Sequence, residues 1–227
     1  MDYQRLLLIL KENADRDYDD FNKKIINSGV QTLGCRTPFM RKIAKQLTWE
    51  QVLDFPTHDY YEVDLLKGIV LSTAKLHFED KSKLLTEFAQ TIENWAVCDC
   101  SCVKIPAAEK ELYFEYFCKL VSDSRQFVCR YGIVNLLSSY LDDEHIERVF
   151  ESLRSIAIWG EYYVDIAVAW LIATAMAKCR TATVKYMEGE ARQVLNVWSY
   201  NKALQKMRES YRVSSDDKQW TYGLKRR

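Results

Sequence analysis

Gly68-Ile69-Val70 is the first of four short triplets that recur along the chain and predict its fold. The other three are Ser101-Cys102-Val103, Gly132-Ile133-Val134 and Ala167-Val168-Ala169. Consecutive triplets of small or apolar residues follow one another at a step of about 31 to 35 residues, near the repeat length of helical-pair solenoids. We therefore predict one domain over residues 1–227, in which each repeat contributes one buried inner helix.

The composition predicts an all-α protein. The 227 residues include only 7 Gly and 3 Pro, so few positions favour turns over helices. A hydrophobic fraction of 48% with 28% charged residues is typical of a folded domain and excludes a disordered chain. The longest apolar run, Ile166 to Ala177, is too short to cross a bilayer. We expect no contact with a membrane.

The cysteines and histidines form no metal-binding or disulfide motif. Cys98, Cys100 and Cys102 alternate at a spacing of two, which fits neither a zinc knuckle nor a redox C-x-x-C. Asp2 and Arg5 in the first segment argue against a signal peptide. We expect the 7 cysteines to be reduced, mostly buried thiols of a cytoplasmic protein that holds no metal.

The stretch Asn94-Trp95-Ala96-Val97-Cys98-Asp99 is the candidate for a working centre. Trp95 and Asp99 are four residues apart, so a helix places both side chains on one face. The neighbouring residues are largely apolar, so this carboxylate needs either a function or a structural partner. Spacing alone leaves two interpretations open, a catalytic carboxylate beside an aromatic ring or a packed Trp with a capped or paired Asp.

The repeat alignment adds two charged residues to Asp99. In this register Arg130 and Asp165 take the equivalent position, two residues before their triplets. We expect the three side chains to line up on one face of successive inner helices, which in a solenoid is the concave face. An alternative is that the row is a structural ladder of ion pairs.

Four blocks of sequence occur in order over nearly the whole chain. They are Leu33-Gly34-Cys35-Arg36-Thr37-Pro38 with Arg41 and Lys45, Asn94 to Asp99, Tyr162-Tyr163-Val164 through Ala167-Val168-Ala169-Trp170, and Tyr200 to Lys206 with Glu209 to Val213. Together they resemble the bacterial DNA alkylation repair family. The resemblance implies an α-α superhelix of HEAT-like helical pairs whose concave groove holds duplex DNA. It also implies an N-glycosyl hydrolase that removes cationic purines such as 3-methyladenine and 7-methylguanine in base-excision repair.

The resemblance assigns roles to four residues. Asp99 resembles the catalytic carboxylate of the family, Trp95 and Trp170 its two aromatic walls, and Arg130 the basic residue that contacts a phosphate. An N3- or N7-alkylated purine already carries positive charge, so its departure needs no general acid and no cofactor. The enzyme has only to stabilise an oxocarbenium-like sugar and to place a water.

Two basic segments are candidates for binding the phosphate backbone. Residues 34–46 contain four basic residues and no acid, and residues 196–227 contain eight basic residues against three acids. Clustered Lys and Arg neutralise phosphates, although such runs are also often solvated faces without a ligand. The candidate DNA-binding residues are Arg36, Arg41, Lys45, Lys202, Lys206 and Arg212.

Three classes of function remain open at this point. The first is a monomeric glycosylase that acts on duplex DNA with alkylated bases. The second is a non-catalytic binder of branched or damaged DNA, and the third is a protein-interaction scaffold. The third is favoured by the balance of 32 basic and 32 acidic residues. Two positions depart from the family pattern, because Asp165 replaces a basic residue found in many relatives and Cys129 replaces an Arg found in some.

Overall fold

The computed structural model describes residues 1–26 and 29–227 of the chain. These residues form helices joined by loops, and no strand occurs among them, which confirms the all-α prediction and is consistent with a helical-repeat solenoid. None of the helices in the described ranges combines the length and the apolar character needed to cross a bilayer. The described residues form two compact units, Met1–Pro106 and Ala107–Arg227. The assignment of residues 1–227 to one domain stays a prediction.

Unit 1 (Met1–Pro106) is organised around one helix that is buried on all sides. Its helices are α1 (Tyr3–Glu12), α2 (Arg16–Ile26), α3 (Thr37–Ala44), α4 (Trp49–Leu53), α5 (Tyr61–Thr73), α6 (Phe78–Gln90) and α7 (Trp95–Cys100). Helix α5 packs against α3, α4, α6 and α7. A helix enclosed in this way has apolar residues around its whole circumference. The run Leu65 to Leu71 is nearly all apolar and fits this environment.

Gly68 is required where α5 passes the end of α7. A Cβ atom at this position would lie 1.9 Å from the Ser101 hydroxyl oxygen and 2.7 Å from the Phe88 ring. Any side chain there would push the two helices apart. The small residue that begins the first triplet is thus explained by helix packing.

The second triplet does not lie in an inner helix, so the predicted repeat is wrong at this point. Helix α7 ends at Cys100, and the Ser101 hydroxyl donates to the Val97 carbonyl at 2.6 Å. The chain then leaves the helix, and the Lys104 N–H donates to the Ser72 carbonyl at 3.0 Å. Pro106 follows shortly after and disfavours helical geometry at the residue before it.

Unit 2 (Ala107–Arg227) has a core of long helices packed side by side. Its helices are α8 (Lys110–Val121), α9 (Gln126–Ser139), α10 (Ile146–Ser152), α11 (Tyr162–Lys178), α12 (Arg180–Glu188), α13 (Ala191–Val194), α14 (Val197–Glu209) and α15 (Ser215–Tyr222). Two 3-10 turns occupy Ala107–Glu109 and Leu153–Ser155. Helix α9 packs against α8 and α11, and α11 packs against α14. The third and fourth triplets lie within α9 and α11, as predicted.

Helix α11, which carries the fourth triplet, is largely buried. Residues Ala167, Val168 and Ala169 are fully buried, and Ala173 is 5% exposed. Small side chains allow the close approach of α9 and α14. The prediction of a largely buried inner helix is confirmed, with Tyr162 and Trp170 as its exposed aromatic residues.

Replacing Ala173 with Phe is expected to overpack this core and to lower the free energy of unfolding by about 1 to 3 kcal/mol. The measurement is chemical denaturation followed by circular dichroism. The same change at the partly exposed Ala177 provides the control and should cost less. Equal losses at the two positions would contradict the packing described for α11.

A buried histidine joins α8 to the start of α10. His145 Nε2 lies 2.8 Å from a Glu111 carboxylate oxygen, and its Nδ1 lies 2.7 Å from an Asp142 carboxylate oxygen. The Lys110 ammonium group also donates to Asp142, at 2.9 Å. Burial acts to raise the pKa of Asp142, but the hydrogen bonds from His145 and Lys110 outweigh it and lower that pKa to about 2.

The low pKa of Asp142 predicts a loss of stability in acid. Its contribution is complete above the ordinary pKa of 3.8 and is lost as the pH falls through about 2. The loss should be modest because the side chain is 39% exposed and solvent screens its ion pairs. Urea unfolding between about pH 5 and pH 2 should show a smaller change in Asp142→Asn than in the wild type. The exposed neighbour Asp143→Asn should behave as the wild type, and an equal change in Asp142→Asn would contradict the prediction.

Candidate functional site

Helix α7 places Trp95 and Asp99 on one face, as the spacing predicted. The Asn94 side chain caps the helix by accepting from the Val97 N–H at 2.9 Å, so Trp95 is the first helical residue. Ala96, Val97 and Cys98 are buried, whereas Trp95 and Asp99 are partly exposed. This short helix therefore presents an aromatic ring and a carboxylate to solvent, one helical turn apart.

The Trp95 indole is fixed by a contact that the sequence did not predict. Its Nε1–H donates to the Ile25 carbonyl near the end of α2, at 3.0 Å. The bond joins residues 70 positions apart in the chain. It orients the indole while leaving part of the ring exposed.

Arg41 on α3 lies near Cys100, the last residue of α7. Burial is the main cause that raises the pKa of the Cys100 thiol, Arg41 acts to lower that pKa, and Asp99 acts to raise it. Both charged groups are thus close enough to influence one thiol. Unit 1 thus brings the basic Arg41 of the first sequence block close to the acidic Asp99 of the second block.

The three basic candidates of unit 1 differ in their surroundings. Arg36 is exposed, and its guanidinium donates to the Asp15 carboxylate at 2.7 and 3.0 Å and lies 4.8 Å from the Tyr18 ring centroid. Arg41 and Lys45 are also exposed, and within residues 1–26 and 29–227 they form no ion pair. These two side chains are the better placed to bind a phosphate.

Arg130 and Trp170, the other two residues assigned by resemblance, lie in unit 2. Arg130 is only 4% exposed, and its Nη1–H donates to the Tyr163 carbonyl at 2.7 Å. The Gln126 side chain accepts from the Tyr163 N–H at 3.0 Å. Side chains of α9 therefore bind both the N–H and the carbonyl of Tyr163 in the first turn of α11. Trp170 is 39% exposed on α11 and offers an accessible indole.

Asp165 is buried and supports a helix cap. It is 3% exposed, and one carboxylate oxygen accepts from the Asn196 amide at 2.8 Å while the other accepts from the Gly160 N–H at 3.3 Å. The Asn196 side chain in turn caps α14 by accepting from the Ser199 N–H at 2.7 Å. These contacts explain an acid at this position without involving DNA.

The C-terminal basic candidates lie on and just after α14. The Lys202 ammonium group donates to the Gln205 side chain at 3.1 Å, and Lys206 forms an ion pair with Glu209 at 3.5 Å. Arg212 is exposed in the turn before α15. The contacts of Lys202 and Lys206 are local to α14.

The comparison with protein families bears directly on this arrangement. Residues 6–207 match the family model described as DNA alkylation repair enzyme. The chain belongs to the DNA alkylation repair enzyme family. The predicted resemblance is thereby confirmed, and with it a role in the repair of alkylated DNA. The comparison with curated proteins gave no match. The individual roles of Asp99, Trp95, Trp170 and Arg130 stay predictions.

In this DNA alkylation repair enzyme, the first sequence block is held by a residue that sequence reasoning missed. The fully buried carboxylate of Glu62 accepts from three consecutive backbone N–H groups, those of Leu33, Gly34 and Cys35, at 2.8 to 3.1 Å. Gly34 has a φ of 80°, and a Cβ there would lie 2.3 Å from the Asp15 carbonyl oxygen. An acid at the start of the apolar helix α5 was the available signal, because a buried carboxylate requires partners.

The 7 cysteines of the repair enzyme form no disulfide in the described part of the chain. Cys35, Cys98, Cys129 and Cys179 are buried, and the other three are partly exposed. Cys129 donates to the Val121 carbonyl at 3.1 Å, so this departure from the family pattern serves the packing of α8 against α9. Burial raises the pKa of the Cys129 thiol to about 12, which keeps it protonated at neutral pH.

Proposed function

We propose that the protein is a cytoplasmic, monomeric DNA glycosylase that removes cationic alkylated purines, such as 3-methyladenine and 7-methylguanine, from duplex DNA. The observation that carries the proposal is the geometry of α7. That helix exposes Trp95 and Asp99 on one face while it buries the residues between them. Membership of the DNA alkylation repair enzyme family supports the substrate class.

The chemistry requires little of the protein beyond charge and position. As the bond between the base and C1′ of the deoxyribose breaks, the cationic purine takes the bonding electrons and leaves as a neutral base. Positive charge then develops on the sugar, and the Asp99 carboxylate stabilises it. Water adds to C1′ and loses a proton, which completes the hydrolysis. No group has to protonate the leaving base.

The aromatic and basic residues supply binding. The exposed part of the Trp95 indole attracts a cationic sugar or base by roughly 0.5 to 2 kcal/mol. Arg41 and Lys45, which are exposed on the same unit, neutralise phosphates of the DNA backbone. Trp170 exposes an indole on unit 2, and its role as a second aromatic wall stays a prediction.

A second candidate function is binding of damaged DNA or of a protein without base release. It is favoured by the environment of Arg130, which is 4% exposed and whose guanidinium donates to the Tyr163 carbonyl. A residue held in this way is less available to a phosphate. The equal numbers of basic and acidic residues, 32 of each, also favour this alternative.

The test is incubation of the full chain with duplex DNA that contains 7-methylguanine, under single-turnover conditions, with the free base measured by chromatography. Release above the spontaneous rate supports the glycosylase, and the undamaged duplex serves as the control substrate. Binding of the modified duplex without release would support the second candidate instead.

A further inference from the structure

An open hollow on unit 2 has features that base release does not use. Its volume is about 540 Å³, within the range of about 300 to 1,000 Å³ that is usual for small-ligand sites. It lies between one face of α14 and the C-terminal tail. The lining residues with recognition chemistry are Trp198, Asn201, Lys202, Gln205, Arg208 and Lys225.

The C-terminal tail is fixed against α14 at this place. The Asn201 amide donates to the Arg226 carbonyl at 2.8 Å and accepts from the Arg226 N–H at 2.9 Å. The Arg226 guanidinium donates to the Leu195 carbonyl at 2.9 Å. Three hydrogen bonds thus position Lys225, the residue before Arg226, on the rim of the hollow.

The hollow is cationic. Lys202, Arg208 and Lys225 line it, and no Asp or Glu is among its lining residues. In the ranges 1–26 and 29–227 none of these three side chains forms an ion pair; Lys202 donates to Gln205, and Arg208 donates to Thr221. Three positive charges with no acid in the lining favour an anionic ligand.

An accessible indole lies among these charges. Trp198 is 44% exposed, and the Tyr162 ring meets it edge to face at a centroid distance of 5.9 Å. The Lys202 ammonium group is 5.8 Å from the Trp198 ring centroid. The contact with Tyr162 supports the indole from α11, while much of the ring surface stays in solvent.

We propose that this hollow binds unpaired nucleotides of a single DNA strand. A base stacks on Trp198, and the flanking phosphates bind Lys202, Arg208 and Lys225, which is the combination of aromatic platform and cationic groove that single-strand binders use. The bases of an intact duplex stack on one another, so only an unpaired base presents a face to the indole. Lys202 is also one of the candidate DNA-binding residues, but the proposed ligand here is an unpaired strand and no base release is involved.

The test uses the full chain and a fluorescein-labelled oligothymidine of about ten nucleotides, a length within the usual site size. Fluorescence anisotropy should show salt-sensitive binding. Trp198→Ala should weaken it by about five- to a hundred-fold, and Trp198→Phe should restore most of the affinity because it keeps a stacking ring. Lys225→Glu should also weaken binding, and its position in the exposed tail leaves the helices intact.

A matched control is Lys119→Glu, which reverses the charge of an exposed lysine on α8 that forms no ion pair with the residues the structure describes. It should bind the oligothymidine as the wild type does. The proposal is overturned if the wild type does not bind, if Trp198→Ala and Lys225→Glu bind as tightly as Lys119→Glu, or if oligouridine or thymidine monophosphate binds more tightly than oligothymidine.

Release of 7-methylguanine from duplex DNA is measured on the same preparations. Oligothymidine binding without base release would support single-strand binding at the hollow and would contradict the glycosylase proposal. Base release without oligothymidine binding has the opposite consequence. The two proposals therefore fail separately.

Discussion

Replacing Asp99 with Asn is expected to slow the release of 7-methylguanine by about a hundred- to a thousand-fold, the usual effect of losing one preorganised electrostatic group. The Asn side chain has nearly the same shape but cannot offset the positive charge that develops on the deoxyribose. The measurement is the single-turnover rate of free-base release from modified duplex DNA. Binding of that duplex should change little, because the lost interaction acts mainly in the transition state.

Two controls separate catalysis from folding. Asp99 is partly exposed, so Asp99→Asn should change the free energy of unfolding by less than about 0.5 kcal/mol. Asp54→Asn makes the same chemical change at an exposed position of unit 1 and should leave both rate and stability unaltered. A loss of several kcal/mol in Asp99→Asn would instead identify Asp99 as a structural ion-pair partner. Equal rates in the wild type and Asp99→Asn would remove it from the mechanism.

Replacing Glu62 with Ala is expected to lower the free energy of unfolding by about 3 to 5 kcal/mol. The change leaves the N–H groups of Leu33, Gly34 and Cys35 without the carboxylate that they share, and each buried donor without a partner costs about 1 to 3 kcal/mol. It also opens a cavity where the Glu62 side chain was fully buried. The measurement is urea unfolding of the full chain.

The matched variants of Glu62 test the same contact. Glu62→Gln keeps one acceptor oxygen, so its loss should be smaller than that of Glu62→Ala. Glu87→Ala removes an exposed carboxylate from α6 and should change stability by less than about 0.5 kcal/mol. If Glu62→Ala were no more destabilising than Glu87→Ala, the carboxylate would not be holding the loop at Gly34.

Sequence alone determined the features that depend on near neighbours in the chain. The all-α class follows from composition, and the pairing of Trp95 with Asp99 follows from the helical period and the Asn94 cap. The burial of α11 follows from its nearly continuous run of small and apolar residues. Each of these depends on positions within one or two helical turns, where spacing determines geometry.

Only the tertiary structure decided which partner each buried polar group has. Arg130 reaches the Tyr163 carbonyl 33 residues away, Asp165 reaches Asn196 31 residues away, and Glu62 reaches the loop at Gly34 28 residues away. A row of charges in a repeat alignment cannot distinguish these contacts from a ligand-binding face, because both satisfy the same pattern. Burial makes the distinction, since a charge removed from water requires a partner that the fold brings from a distant part of the chain.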